Sequence, residues 1–198
     1  MRSPVIVLVT AALVTLSLGC SDGQARRAEA EAKRAAAEAE EAKGREEAAA
    51  RREAERLAAL WSYQETAPGK MHQVTAAVSS ANNVDTDGSG AKPVRLIFRD
   101  HASWGRSSYL VMQAGDFDCY GKCTVQVTVD DAAPKPMAGR RPKTDEAIAM
   151  FVEDEMALWR KAQHAKSLAI TFPVKAGGTR TAVFEVGGLD PSQLPRWK

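Results

Sequence analysis

What this 198-residue chain has least of is the side-chain chemistry of catalysis: three histidines, three cysteines and 6% aromatic residues. His72, His101 and His164 are scattered, and none has a second ligand at i+2 or i+4. No His-Glu-x-x-His, Gly-x-Ser-x-Gly or phosphate-loop motif occurs, so zinc-hydrolase, nucleophile-elbow and nucleotide chemistry have no support in the sequence. Excess charge of one sign is missing as well. Lys and Arg number 27 against 25 Asp and Glu, a formal net charge of +2, which falls short of the basic footprint of a nucleic-acid binder. Long apolar runs are absent except for Val5 to Leu18, and that run is shorter than the roughly 20 residues a membrane span needs. The expectation is a chain with no catalytic residue, no metal ligand set, no cofactor and no nucleic-acid partner.

The apolar run follows Arg2, the arrangement of a secretory signal with a short positive n-region and an h-region. It ends in Leu16-Ser17-Leu18-Gly19-Cys20. This resembles the lipobox of bacterial lipoproteins, in which a small residue precedes the cysteine that takes the diacylglyceryl group. The resemblance implies that residues 1–19 are a signal peptide, that Cys20 is acylated, and that residues 20–23 are a tether. Several acyl chains hold firmly because each buried CH₂ contributes roughly 0.8 kcal/mol. Ser21 follows the cysteine where Asp would signal inner-membrane retention under the enterobacterial rule, so the outer membrane, on its periplasmic side, is the expected address. With Cys20 used by lipid, Cys119 and Cys123 remain as an even pair, expected to be disulfide-bonded in an oxidising periplasm.

Residues 24–60 are almost entirely Ala, Glu, Arg and Lys, the strongest helix formers available. Opposite charges recur at helical spacing: Glu29 with Lys33, Glu41 with Arg45, Glu47 with Arg51 and Glu31 with Arg34. Each pair adds about 0.2–0.5 kcal/mol. An alanine seam through Ala28, Ala32, Ala35, Ala39, Ala42 and Ala49 offers a coiled coil as an alternative, but the same seam meets Glu46, Glu53 and Arg56 and fails after about two heptads. The pattern predicts a solvated spacer helix of roughly 55 Å, with Gly44 its one weak point.

Composition changes at Trp61, and residues 61–198 form the second domain, long enough for a real core. Period-2 alternation predicts strands over 73–81, 94–100, 108–113, 123–129, 168–174 and 180–186. One amphipathic helix is predicted over 145–165, with Ile148, Phe151, Val152, Trp159 and Ala162 on one stripe. Strands, a helix, then strands again predict an all-β or α+β domain, an antiparallel β-sandwich with one packed helix behind the helical stalk.

Cys119-Tyr120-Gly121-Lys122-Cys123 reads as a disulfide closing a short hairpin between strands ending at Phe117 and starting at Thr124. Three intervening residues differ from the two of thioredoxin-like redox centres. Asn83-Val84-Asp85-Thr86-Asp87-Gly88 copies the first half of a calcium loop, but Val94 stands where the bidentate Glu belongs, so a plain Asx/Gly loop is expected. Asp100, His101 and Ser103 have the residue types of a hydrolytic triad, yet strand neighbours point to opposite faces. The segment from Pro134 to Lys143 reads as a loop carrying Arg140, Arg141 and Lys143, a candidate surface for an acidic protein or anionic headgroups. Trp61, Trp104, Trp159 and Trp197 read as core or domain-edge packing.

The order of Trp61, Pro93–Arg99, Val125–Asp131, the helix with Phe151 and Trp159, and a closing Phe184–Leu189 is similar to the VasI/TagO-type periplasmic accessory proteins associated with type VI secretion. The resemblance implies a small β-sandwich and an accessory role, and carries no functional residue. Two readings follow. One is a non-enzymatic envelope binding module acting on a periplasmic protein or the cell wall. The other is an inhibitor or immunity lipoprotein against a lysozyme-like or toxin enzyme, which predicts that 133–144 protrudes. A third reading, a carbohydrate- or peptidoglycan-binding domain, would need aromatics exposed together, and a surface cluster of Trp104, Tyr109 and Tyr120 would favour it.

Overall fold

A computed structural model describes residues 21–66, 72–142 and 148–197. The signal segment, Cys20 and Lys143 lie outside the described residues. The chain divides into two compact units, 1–49 and 50–198.

Helix α1 runs unbroken from Ser21 to Ala58, through Gly44. Glu29–Lys33 (2.6 Å) and Glu41–Arg45 (3.3 Å) pair as the spacing predicts, while Arg51 engages Glu55 at 2.9 Å. All are well exposed, so each adds little by itself. Charge is solvated on every side, and no helix among the described residues is long and apolar enough to cross a membrane.

The second unit is mixed α+β and mostly β. Its strands are β1 (Trp61–Glu65), β2 (Gln73–Val84), β3 (Lys92–His101), β4 (Gly105–Val111), β5 (Cys123–Val129), β6 (Lys135–Arg140), β7 (Ala149–Val152), β8 (Ser167–Pro173) and β9 (Thr179–Glu185), with helix α2 (Glu155–His164) between β7 and β8. They form one antiparallel nine-stranded sheet in the order β1-β2-β3-β4-β7-β6-β5-β8-β9. Alternation sorts the side chains: Leu96, Phe98, Leu110, Val125, Val127 and Ile170 are buried on the inner face. On α2, Leu158, Trp159 and Ala162 join them. Phe98, Trp159 and Trp197 meet with ring centroids 5.0–5.5 Å apart, so the last residues of the chain close the core.

The sheet curls until β2 lies beside β9. A bulge after Ser79 shifts the β2–β3 register. It frees the Asn82 side chain, which donates to Thr181 O (2.9 Å) and accepts from Val183 N (2.8 Å). A side-chain amide thus fills backbone positions that an added strand would otherwise take, which covers the β9 edge.

Three expectations change here. Ala149–Val152 is a strand rather than part of a helix, and α2 begins only after Asp154, whose carboxylate caps Ala157 N at 3.1 Å. A run of Ala-Met-Phe-Val fits a buried strand as well as a helix face, and Asp154 is the start signal that separates them. The segment expected to be a loop over 134–143 contains β6, in the middle of the sheet between β5 and β7. And Cys119–Cys123 does not staple a hairpin: β5 pairs with β6 and β8, while Phe117 bridges to Val174.

Candidate functional site

The disulfide of Cys119 and Cys123, with Cα atoms 5.0 Å apart, closes a loop held down by one carboxylate. Asp116 accepts from Arg141 Nε (2.5 Å), Lys175 Nζ (2.7 Å) and Tyr120 Oη (3.1 Å). Lys175 and Arg141 also sit against the Tyr120 ring, 4.4 and 5.1 Å from its centroid. Burial pushes the Asp116 carboxyl up, but the hydrogen bonds from Lys175, Arg141 and Tyr120 outweigh it and hold the group below the usual aspartate range. Arg141 is therefore not a free docking cation. Its side chain is 5% exposed and its charge is spent inside this clamp, a correction to its expected role on a surface loop.

A second arrangement lies on the outer face of the sheet. Register makes residues directly opposite on paired strands neighbours on one face. One such row runs Ser62, Ala77, Ile97, Tyr109, Phe151, Arg140 across six strands. The next row is Gln64, Thr75, Arg99, Ser107. Arg99 sits at the crossing. Its guanidinium carbon is 5.4 Å from the Trp104 ring centroid, 5.3 Å from Tyr109 and 6.0 Å from Phe151. Arg99 Nε donates to Ser107 Oγ at 3.1 Å, and Arg140 lies 5.6 Å from the far side of the stripe at Phe151. Burial raises the Tyr109 hydroxyl pKa, with Arg99 and Arg95 opposing it.

Trp104 comes to this face from the β3–β4 turn. His101 stacks on it at 4.1 Å, and His101 Nδ1 accepts from the Ser103 and Trp104 amides at 3.0 and 3.3 Å. The indole is 66% exposed, so Trp104 is the one tryptophan that does not serve the core. Among the described residues, neither Arg95 nor Arg99 pairs with a carboxylate. Arg140 has Glu153 at 3.6 Å and stays half exposed.

No protein-family model, curated protein or solved structure matches this chain.

Of the residues singled out from sequence, Cys119 and Cys123 meet as expected, Arg140 and Arg141 lie on separate clusters, and Cys20 and Lys143 fall outside the described residues. Trp104 and Tyr109 share Arg99, whereas Tyr120 belongs to the Asp116 clamp, so the three aromatics form no single cluster. The Asp100 carboxylate is taken by Arg196 (3.1 Å) and His101 Nδ1 by backbone amides, which leaves these two apart rather than relayed. The loop at 83–88 forms Asx turns: Asp85 accepts from Gly88 N at 2.7 Å and Asp87 from Ser89 N at 2.9 Å. Among the described residues no group of His, Cys, Asp and Glu is placed to hold a metal. Arg99 escaped sequence reasoning because its ring partners come from three separate segments, one of them read as helix.

Proposed function

We propose that this chain is a lipid-anchored accessory module of the bacterial cell envelope, acting by binding rather than by catalysis. The observation that carries the proposal is the exposed basic-aromatic face centred on Arg99. Trp, Tyr and Arg are the residues that concentrate binding energy at recognition surfaces, and here they are gathered on the solvent side of the sheet, with no role in the core. The curled sheet serves as a sandwich-like scaffold that holds the face rigid. The signal segment and Cys20 supply export and anchorage, and the charged helix supplies reach. An association with a secretion machine is the role that the type VI-type resemblance suggests.

The inhibitor alternative depends on a protruding 133–144 loop. With residues 135–140 paired in the sheet and Arg141 buried, that reading loses its main motivation.

Metabolic labelling with palmitate, followed by fractionation, tests the proposal. Wild type should take up label and sediment with envelope membranes, and Cys20→Ser should do neither. A soluble, unlabelled wild-type chain in the cytoplasm would refute it.

A further inference from the structure

We infer that the outer face built on Arg99, Trp104, Tyr109, Phe151 and Arg140 binds a carboxylate-bearing glycan, an amino-sugar polymer of the cell wall. The inference rests on the envelope reading above and names the ligand class of the same face.

Two features of the face point to this chemistry. The first is charge. Arg95, Arg99 and Arg140 share the outer face, and among the described residues the one carboxylate within ion-pair distance of any of them is Glu153, 3.6 Å from Arg140. A guanidinium presents a planar fork of donors that matches a carboxylate two bonds at a time. Arg99 uses Nε on Ser107, so its pairing to an anion is unspent. The second is the pattern around the charges. Trp104 offers an exposed ring surface, while Tyr109 and Phe151 form a half-buried floor. Aromatic planes receive the C–H face of a pyranose. The flanking rows carry Gln64, Thr75, Ser79 and Ser107, neutral hydroxyl and amide groups suited to sugar hydroxyls.

The test is co-sedimentation of the purified full chain, in detergent, with purified peptidoglycan sacculi. Wild type should pellet with sacculi and be released as salt rises. Arg99→Gln combined with Arg140→Gln should weaken retention about tenfold or more, and Trp104→Ala should weaken it severalfold. Sacculi whose carboxylates have been amidated should hold wild type as poorly as native sacculi hold the double variant. That arm uses unaltered protein, so it decides the question even if a variant folds badly. Failure of wild type to pellet, undiminished binding to amidated sacculi, or binding of the Cys20→Ser chain to phosphatidylglycerol vesicles in preference to sacculi would each overturn the inference. Palmitate labelling would be untouched by any of these results, so the two proposals fail separately.

Discussion

At the scale of single residues, Asp116 is the position on which most depends. Arg141 is almost fully buried, and a buried guanidinium without its anion costs about 3 kcal/mol or more. Asp116→Asn keeps the shape and removes the charge, so urea unfolding at pH 7 should show a loss of about 3 kcal/mol; a change under 0.5 kcal/mol would mean that solvent already screens the pair. The pH dependence follows from the depressed carboxyl. Its contribution is complete above the ordinary aspartate value of 3.8 and is lost as pH falls through the lower folded-state value. Wild type should therefore lose stability steeply on the acid side below about pH 4, and the Asn variant should lack that component of the acid limb. The neighbouring disulfide closes a span of only four in sequence, so reduction should lower stability by about 2 kcal/mol with the β signature in circular dichroism retained. Unfolding on reduction would show that the bond holds more than its own loop.

At the scale of elements, the end of α1 is pressed against the β unit by a glycine. A Cβ at Gly188 would stand 2.2 Å from Leu57 C and 2.4 Å from Ala58 N, distances at which backbone must move. Arg56 bonds Glu185 at 2.7 Å in the same place. Gly188→Ala should displace the last turn of α1 and break that ion pair, at a cost of about 1–3 kcal/mol. Hydrogen exchange of the amides at 54–58 should accelerate, while exchange within β3 and β8 should be less affected. Unchanged protection at 54–58 would show that the turn holding the glycine gives way instead.

At the scale of the whole molecule, the composition break and the structural break fall at different residues. Alanine and charge continue to Leu60, but the second compact unit already begins at Ala50. Leu57 is half-buried and Arg56 is paired, so the final turns of α1 belong to the folded unit. A chain starting at Ala50 should match the unfolding free energy of the full chain, measured in urea, within about 0.5 kcal/mol. One starting at Trp61 should fall short by about 1–2 kcal/mol, the burial of Leu57 and its neighbours. Equal midpoints for both truncations would return the last turns of α1 to the spacer.

The sequence by itself determined the elements whose signal is local. The Ala/Glu/Arg/Lys stretch specified α1, because helix propensity and i,i+4 charge act within a few residues. Alternation specified β2, β3, β4, β5, β8 and β9, and cysteine pairing named Cys119 and Cys123. Tertiary structure alone decided what β6 and β7 are, since Lys135–Arg140 shows no apolar alternation and Ala149–Val152 is a short run that is apolar throughout, so both become strands only by pairing with neighbours. It also decided the fates of Arg140 and Arg141, adjacent in the chain but opposite in role, one on the outer face and the other buried on Asp116. The Arg99 face was illegible for the same reason. Alternation tells which side of its own strand a residue occupies, but register between strands distant in sequence chooses its neighbours.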